Sequence, residues 1–191
     1  MPILGVIDSA KSGHLFEPSN GYEAIATANL NAATASITFG SIPATYAHLQ
    51  IRAIARGTST VDSFVLSLNG DTNSADYNSH YLYGNGSAAS TATQGNSAYM
   101  FVGSMPTNSS TANSFGVAVI DILDYTSVNK NKTVRSFTGQ DNNGSGGVVL
   151  FSGIWFNAPS NSAITTVTIF PNASTGNFAQ YSSFALYGIK G

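Results

Sequence analysis

His48-Leu49-Gln50-Ile51-Arg52-Ala53-Ile54-Ala55-Arg56-Gly57 is the stretch that decides the fold. Leu49, Ile51, Ala53 and Ala55 fall on one side of a two-residue repeat, and His48, Gln50, Arg52, Ile54 and Arg56 on the other. A repeat of two sends successive side chains to opposite faces of a pleated strand. The run therefore predicts a strand with one buried face and one face that is wet or set against something polar.

The same pattern extends in both directions. Tyr22 to Leu30 alternates, with Tyr22, Ala24, Ala26, Ala28 and Leu30 expected on one face, and Ala35 to Phe39 ends at Gly40-Ser41-Ile42-Pro43. Phe64, Leu66 and Leu68 define a strand closing in the turn Asn69-Gly70-Asp71. Further β-prone runs cover Asn78 to Tyr83, Ala98 to Val102, Phe115 to Leu123, Lys132 to Thr138, Val148 to Phe156, Ile164 to Phe170 and Tyr181 to Ile189. Helical periodicity is nearly absent. About ten or eleven short runs, with turn signals roughly every 8–12 residues, predict an all-β fold: an antiparallel β-sandwich, jelly-roll-like. Ser87 to Gly95 and Thr107 to Ala112 are low-complexity stretches that read as loops. Residues 1–21 stand apart as an extended N-terminal arm before a single domain over 22–191. Pro2, Ile3, Leu4, Val6, Ile7, Leu15 and Phe16 give that arm apolar handles for docking on its own sheet or clamping a neighbouring subunit.

Composition narrows the role. Only 8% of the 191 residues are charged while 42% are hydrophobic, against about 25% charged in an ordinary soluble domain. Hydroxyls and amides must wet this surface, and a surface short of ions is weakly protected against packing on copies of itself. The absence of cysteine excludes disulfides, thiolate metal sites and cysteine nucleophiles. A net charge of −2, with the seven cations scattered from Lys11 to Lys190, offers no field for nucleic acid. The opening residues lack the pattern of a signal peptide and no 18 apolar residues run together, so synthesis in the cytoplasm without membrane insertion is expected.

Several clusters invite chemical readings. Asp141, Asn143 and Ser145 occupy alternate positions before Gly146, the opening of a calcium loop. Ser152 stands where the closing Glu should be, so a hairpin with Asn143-Gly144 at its turn is favoured, no metal or other cofactor is expected, and calcium remains the weaker alternative. Asp71 to Asp76 reads as a turn. Asp121 and Asp124 could form a catalytic carboxylate pair, but the facing run carries Lys130, Lys132 and Arg135, and cross-strand ion pairing accounts for both signs. His14, His48 and His80 share no ligand spacing, and neither a zinc-protease, a serine-hydrolase nor a phosphate-loop motif is present. An enzyme is not expected. Tyr77, Tyr81, Tyr83 and Asn85 could make a sugar platform, with aromatic faces against a pyranose and an amide on its hydroxyls. Core or interface packing of the tyrosines is the favoured reading.

The segments Pro2 to Ile7 (PILGVI), Tyr46 to Arg52 (YAHLQIR), Val119 to Tyr125 (VIDILDY) and Phe178 to Gly191 (FAQYSSFALYGIKG) together resemble a group of small virion proteins from tailed bacteriophages. The likeness runs from end to end of the chain, and its motifs are structural, so it transfers no catalytic or binding residue. It implies a non-enzymatic part of the particle, located on the virion: a tail, fibre or baseplate component, or a head decoration protein. The partners it implies are copies of the chain, with a trimer as one arrangement, and other virion proteins. A carbohydrate-binding module or adhesin meeting a host surface glycan at a tail tip is the alternative.

Overall fold

The computed structural model describes residues 21–156, 161–172 and 176–191. The expected arm, with Pro2, Ile3, Leu4, Val6, Ile7, Leu15 and Phe16, lies outside the described residues, as does His14. Twelve strands form among the described residues: β1 (Tyr22–Asn29), β2 (Ile37–Phe39), β3 (His48–Ala55), β4 (Ser63–Leu68), β5 (Tyr77–Gly84), β6 (Ala89–Ser97), β7 (Met100–Ser104), β8 (Gly116–Leu123), β9 (Lys132–Asp141), β10 (Gly146–Trp155), β11 (Val167–Pro171) and β12 (Ser183–Ile189). They make an eight-stranded sheet in the order β1-β12-β3-β8-β9-β10-β5-β6 and a four-stranded sheet in the order β2-β11-β4-β7. The pairings in both sheets are antiparallel. The β-sandwich expected from the alternation is the one that forms.

The β3 reading holds residue by residue. Leu49, Ile51, Ala53 and Ala55 are buried, while Arg52 and Ile54 are exposed. Gln50 faces outward yet is covered, because its amide donates to Asp121 Oδ1 at 2.9 Å and accepts from Arg52 Nε at 3.1 Å. The inner faces of β3, β8 and β12 meet Ile37, Phe39, Leu66, Leu68, Val167 and Ile169 of the small sheet in one core. At its centre Phe64, Phe178 and Phe184 pack with centroids 4.7–6.3 Å apart. Edge and tilted contacts of this kind add about 0.5–1.5 kcal/mol per pair to the area they bury.

Two expectations are corrected. β1 does not keep Tyr22 and Ala24 on the face of Ala26, because a bulge between Ala24 and Ala26 shifts its register on β12. The extra residue turns Tyr22 and Ala24 outward, while Ala26, Ala28 and Leu30 stay against the core. The second correction is β6, which occupies the stretch read as a low-complexity loop. Its Ala, Ser, Thr and Gln residues carry little hydrophobic signal, and the strand exists because β5 offers it a ladder. The Thr107–Ala112 loop is a loop, held by Arg56, whose guanidinium donates to the carbonyls of Ser110, Thr111 and Ser114 at 2.8–3.0 Å.

Gly103 on β7 lies under the Phe64 ring, and a Cβ there would sit 1.9 Å from a ring carbon. Phe64 cannot retreat, since Phe178 and Phe184 hold its other sides. Gly103→Ala is expected to cost about 1–3 kcal/mol in urea unfolding, as overpacking does. Gly40→Ala, where a Cβ meets nothing within 4 Å, should stay within about 0.5 kcal/mol of the parent.

Candidate functional site: an apolar sheet face and an aromatic cleft

Strand registers place the outward-facing residues of the large sheet in rows that cross several strands. One row reads Leu82, Leu150, Phe137 and Val119 on β5, β10, β9 and β8. The row beside it reads Gly84, Val148, Gly139, Val117 and Ile54 on β5, β10, β9, β8 and β3. All seven large side chains in these rows are exposed, led by Phe137 at 58% and Val117 at 56%. The next row is polar: His80, Ser152, Arg135, Asp121 and Gln50. At about 4.8 Å between strands and roughly 7 Å between rows, the apolar patch is about 20 Å by 14 Å. Isolated exposed apolar residues are ordinary, whereas these seven side chains form one contiguous patch.

The glycines give the patch relief. Gly84 and Gly139 flank Val148, so no side chain fills the space on either side of it. A hollow of ≈650 Å³ opens there, lined in part by Gly84, Val117, Gly139, Gly147 and Val148. Phe137 stands at the edge of a smaller one of ≈290 Å³ with Leu82, Val148 and Leu150. Knobs thus lie next to holes.

On the opposite side of the same sheet is a cleft of ≈390 Å³. The small sheet is half as wide as the large one, and its edge strand β7 lies over β8, β9 and β10 and only reaches the fringe of β5. Tyr81 and Tyr83 of β5, Phe151 of β10, Phe101 of β7 and Ser90 of β6 line the gap, with Asp62 at its rim. Tyr81 packs on Phe151 at 5.6 Å, and Phe101 lies nearly parallel to Phe151 at 6.4 Å.

The sugar-platform residues therefore do not converge. Tyr77 is fully buried and stacks on Trp155 at 6.2 Å. Its hydroxyl accepts the Leu68 N–H at 2.9 Å and faces the Leu68 and Asp71 carbonyls, and burial pushes its pKa far above the usual phenol value. Asn85 sits in the β5–β6 turn, where its Oδ1 accepts from the N–H groups of Ser87 and Ala88. Tyr81 and Tyr83 alone share a cavity.

Asp141, Asn143 and Ser145 lie at the β9–β10 hairpin. Asn143 and Gly144 take φ of 63° and 95°, the left-handed conformation such tight turns need. Asp141 Oδ1 accepts the Gly144 N–H at 3.2 Å, so the carboxylate serves the turn. Asp71 also serves a turn, accepting from Asn73 N at 2.8 Å and from Trp155 Nε1 at 2.6 Å. Burial, then the neighbouring Asp71, raises the Asp76 pKa.

Ion pairing divides the three cations differently from the sequence expectation. Arg135 reaches Asp121 across the strands at 3.1 Å, and Lys130 reaches Asp124 at 2.6 Å. Lys130 holds the Asp124 carboxyl below its ordinary value. Lys132 pairs with no carboxylate among the described residues. Strand parity puts it on the inner face with Val134, 1% exposed, and its Nζ donates to the carbonyls of Ser127 at 2.5 Å, Lys130 at 2.9 Å and Asn161 at 3.4 Å. Burial lowers its pKa. His48 Nδ1 accepts the Asp124 N–H at 3.0 Å, and His80 lies in the polar outer row.

The sequence reading passed over the exposed apolar rows and the cleft-lining Asp62, Ser90, Phe101 and Phe151. The rows had a signal: once one parity of a strand is assigned to the core, Val117, Val119, Phe137 and Leu150 are apolar on the wrong side. No family model matches the chain, and no curated protein matches it.

Lys132→Met is expected to destabilise the protein by about 2–4 kcal/mol in denaturant unfolding, because it removes the three hydrogen bonds by which the buried ammonium ties the Ser127, Lys130 and Asn161 carbonyls to β9. Lys130→Met, on an exposed pair, should cost less than about 1 kcal/mol.

Proposed function

We propose that this protein is a non-enzymatic structural component that works by assembling with copies of itself through the outer face of the eight-stranded sheet. The observation that carries the reading is the pair of registered apolar rows, seven exposed side chains over five strands. The whole outer face, eight strands wide, offers on the order of 800 Å². That is the area each partner contributes to a standard stable interface. Phe137 and Val148 beside the hollows at Gly84 and Gly139 suit a self-complementary contact, in which each copy's knob enters the other's hole. The low charge of the chain adds to this, since ions in a dry interface would need costly desolvation.

The setting we propose for this assembly is the virion of a tailed bacteriophage, as a tail, fibre or baseplate component or a head decoration protein. The support is the end-to-end resemblance of the sequence, together with a sheet face suited to packing. Other virion proteins are further partners in this reading, and no cofactor enters it.

Light scattering over a concentration series should show a concentration-dependent oligomer. Phe137→Asp, which places an unpaired charge at the centre of the patch, should weaken association by about 30-fold or more while leaving the unfolding midpoint nearly unchanged. A parent chain that stays monomeric at every concentration, or a variant that associates as tightly as the parent, removes this reading.

A further inference from the structure

The cleft under the overhang of β5 and β6 lies on the inner face of the large sheet, past the edge of the small one. Its floor is aromatic and its rim is polar. Among the described residues the Asp62 carboxylate and the hydroxyls of Tyr81, Tyr83 and Ser90 have no hydrogen-bond partner. Unpaired donors and acceptors gathered around half-buried rings are the usual make-up of a small-ligand site, and ≈390 Å³ lies at the small end of the range such sites occupy.

We infer that this cleft binds a neutral hexopyranoside, one or two sugar units long. A pyranose has an apolar face that lies on aromatic rings and a rim of hydroxyls that both donate and accept, which matches the half-buried Tyr81, Tyr83 and Phe101, with Phe151 buried behind them, and Asp62 and Ser90 at the rim. Among the described lining residues Asp62 carries the one carboxyl group. It can accept hydrogen bonds from two sugar hydroxyls, and it disfavours uronic and sialic acids, whose carboxylates would be brought against it. An extended peptide is a poorer occupant. Ser104, the last residue of the β7 edge, is already taken by Thr138, whose hydroxyl accepts the Ser104 N–H at 3.1 Å and lies 3.2 Å from the Ser104 carbonyl, which shortens the edge a strand could add to. The cleft opens on the face of β5 opposite Leu82, so assembly through the outer rows leaves it accessible.

The test is saturation-transfer NMR and calorimetric titration of the full chain with the methyl glycosides of glucose, galactose, mannose and N-acetylglucosamine, at on the order of 5 mM, with methyl glucuronide as the anionic counterpart. At least one neutral glycoside should bind, and methyl glucuronide should not. Asp62→Ala should weaken binding by about tenfold or more, as loss of a charged hydrogen-bond acceptor does. Ser90→Trp, at an exposed strand position where it fills the mouth of the cleft, should abolish it. Phe137→Asp should bind the sugar as the parent does, which separates this site from the assembly surface. The proposal is overturned if no neutral glycoside binds, if methyl glucuronide binds as tightly as methyl glucoside, or if binding survives unchanged in both Asp62→Ala and Ser90→Trp.

Discussion

Two sheets of unequal width impose the constraint from which the other features follow. An eight-stranded sheet has far more inner face than four strands can cover, and every strand also presents an outer face that no third layer covers among the described residues. The chain meets the first shortage by filling the centre with Phe64, Phe178 and Phe184 and leaving the β5–β6 end as a cleft lined by aromatic rings. It does not meet the second with charge. The outer face keeps Phe137, Val117 and Leu150 exposed, which is stable for a subunit that another protein covers and a hazard for a permanent monomer.

The interior of β9 shows how the edge of the small sheet is closed. Its inner positions read Lys132, Val134, Ser136, Thr138 and Gln140, so one residue of the five is apolar. Thr138 and Gln140 bond to Ser104 at the end of β7. Lys132 binds three carbonyls where the chain approaches β9 from the turn and from Asn161. Thr138, Gln140 and Lys132 bond to groups that the ladders leave unpaired, while Ser136 Oγ and Gln140 Oε1 are buried without a partner among the described residues.

How much was legible follows from the kind of signal each element carries. β3, β8 and β10 announce themselves by alternation, and the Asn143-Gly144 turn by its residue types. β6 does not, since Ser, Thr and Ala residues at a sheet edge bury little and the pairing with β5 creates the strand. The bulge in β1 was invisible for a related reason: a one-residue slip leaves the composition untouched and exchanges the faces. Tyr77 and Tyr81 are four residues apart on one face of one strand, yet one is core and the other lines a cleft. Only the width of the opposing sheet separates them.

The amino-acid sequence by itself determined the class of fold, the antiparallel layering and the weakly charged surface, because these depend on periodicity and composition, which are properties of neighbours along the chain. The tertiary structure alone decided which apolar residues meet in rows, which tyrosines stay reachable and why Lys132 is buried against backbone carbonyls. Those depend on register between strands far apart in sequence and on where the smaller sheet ends.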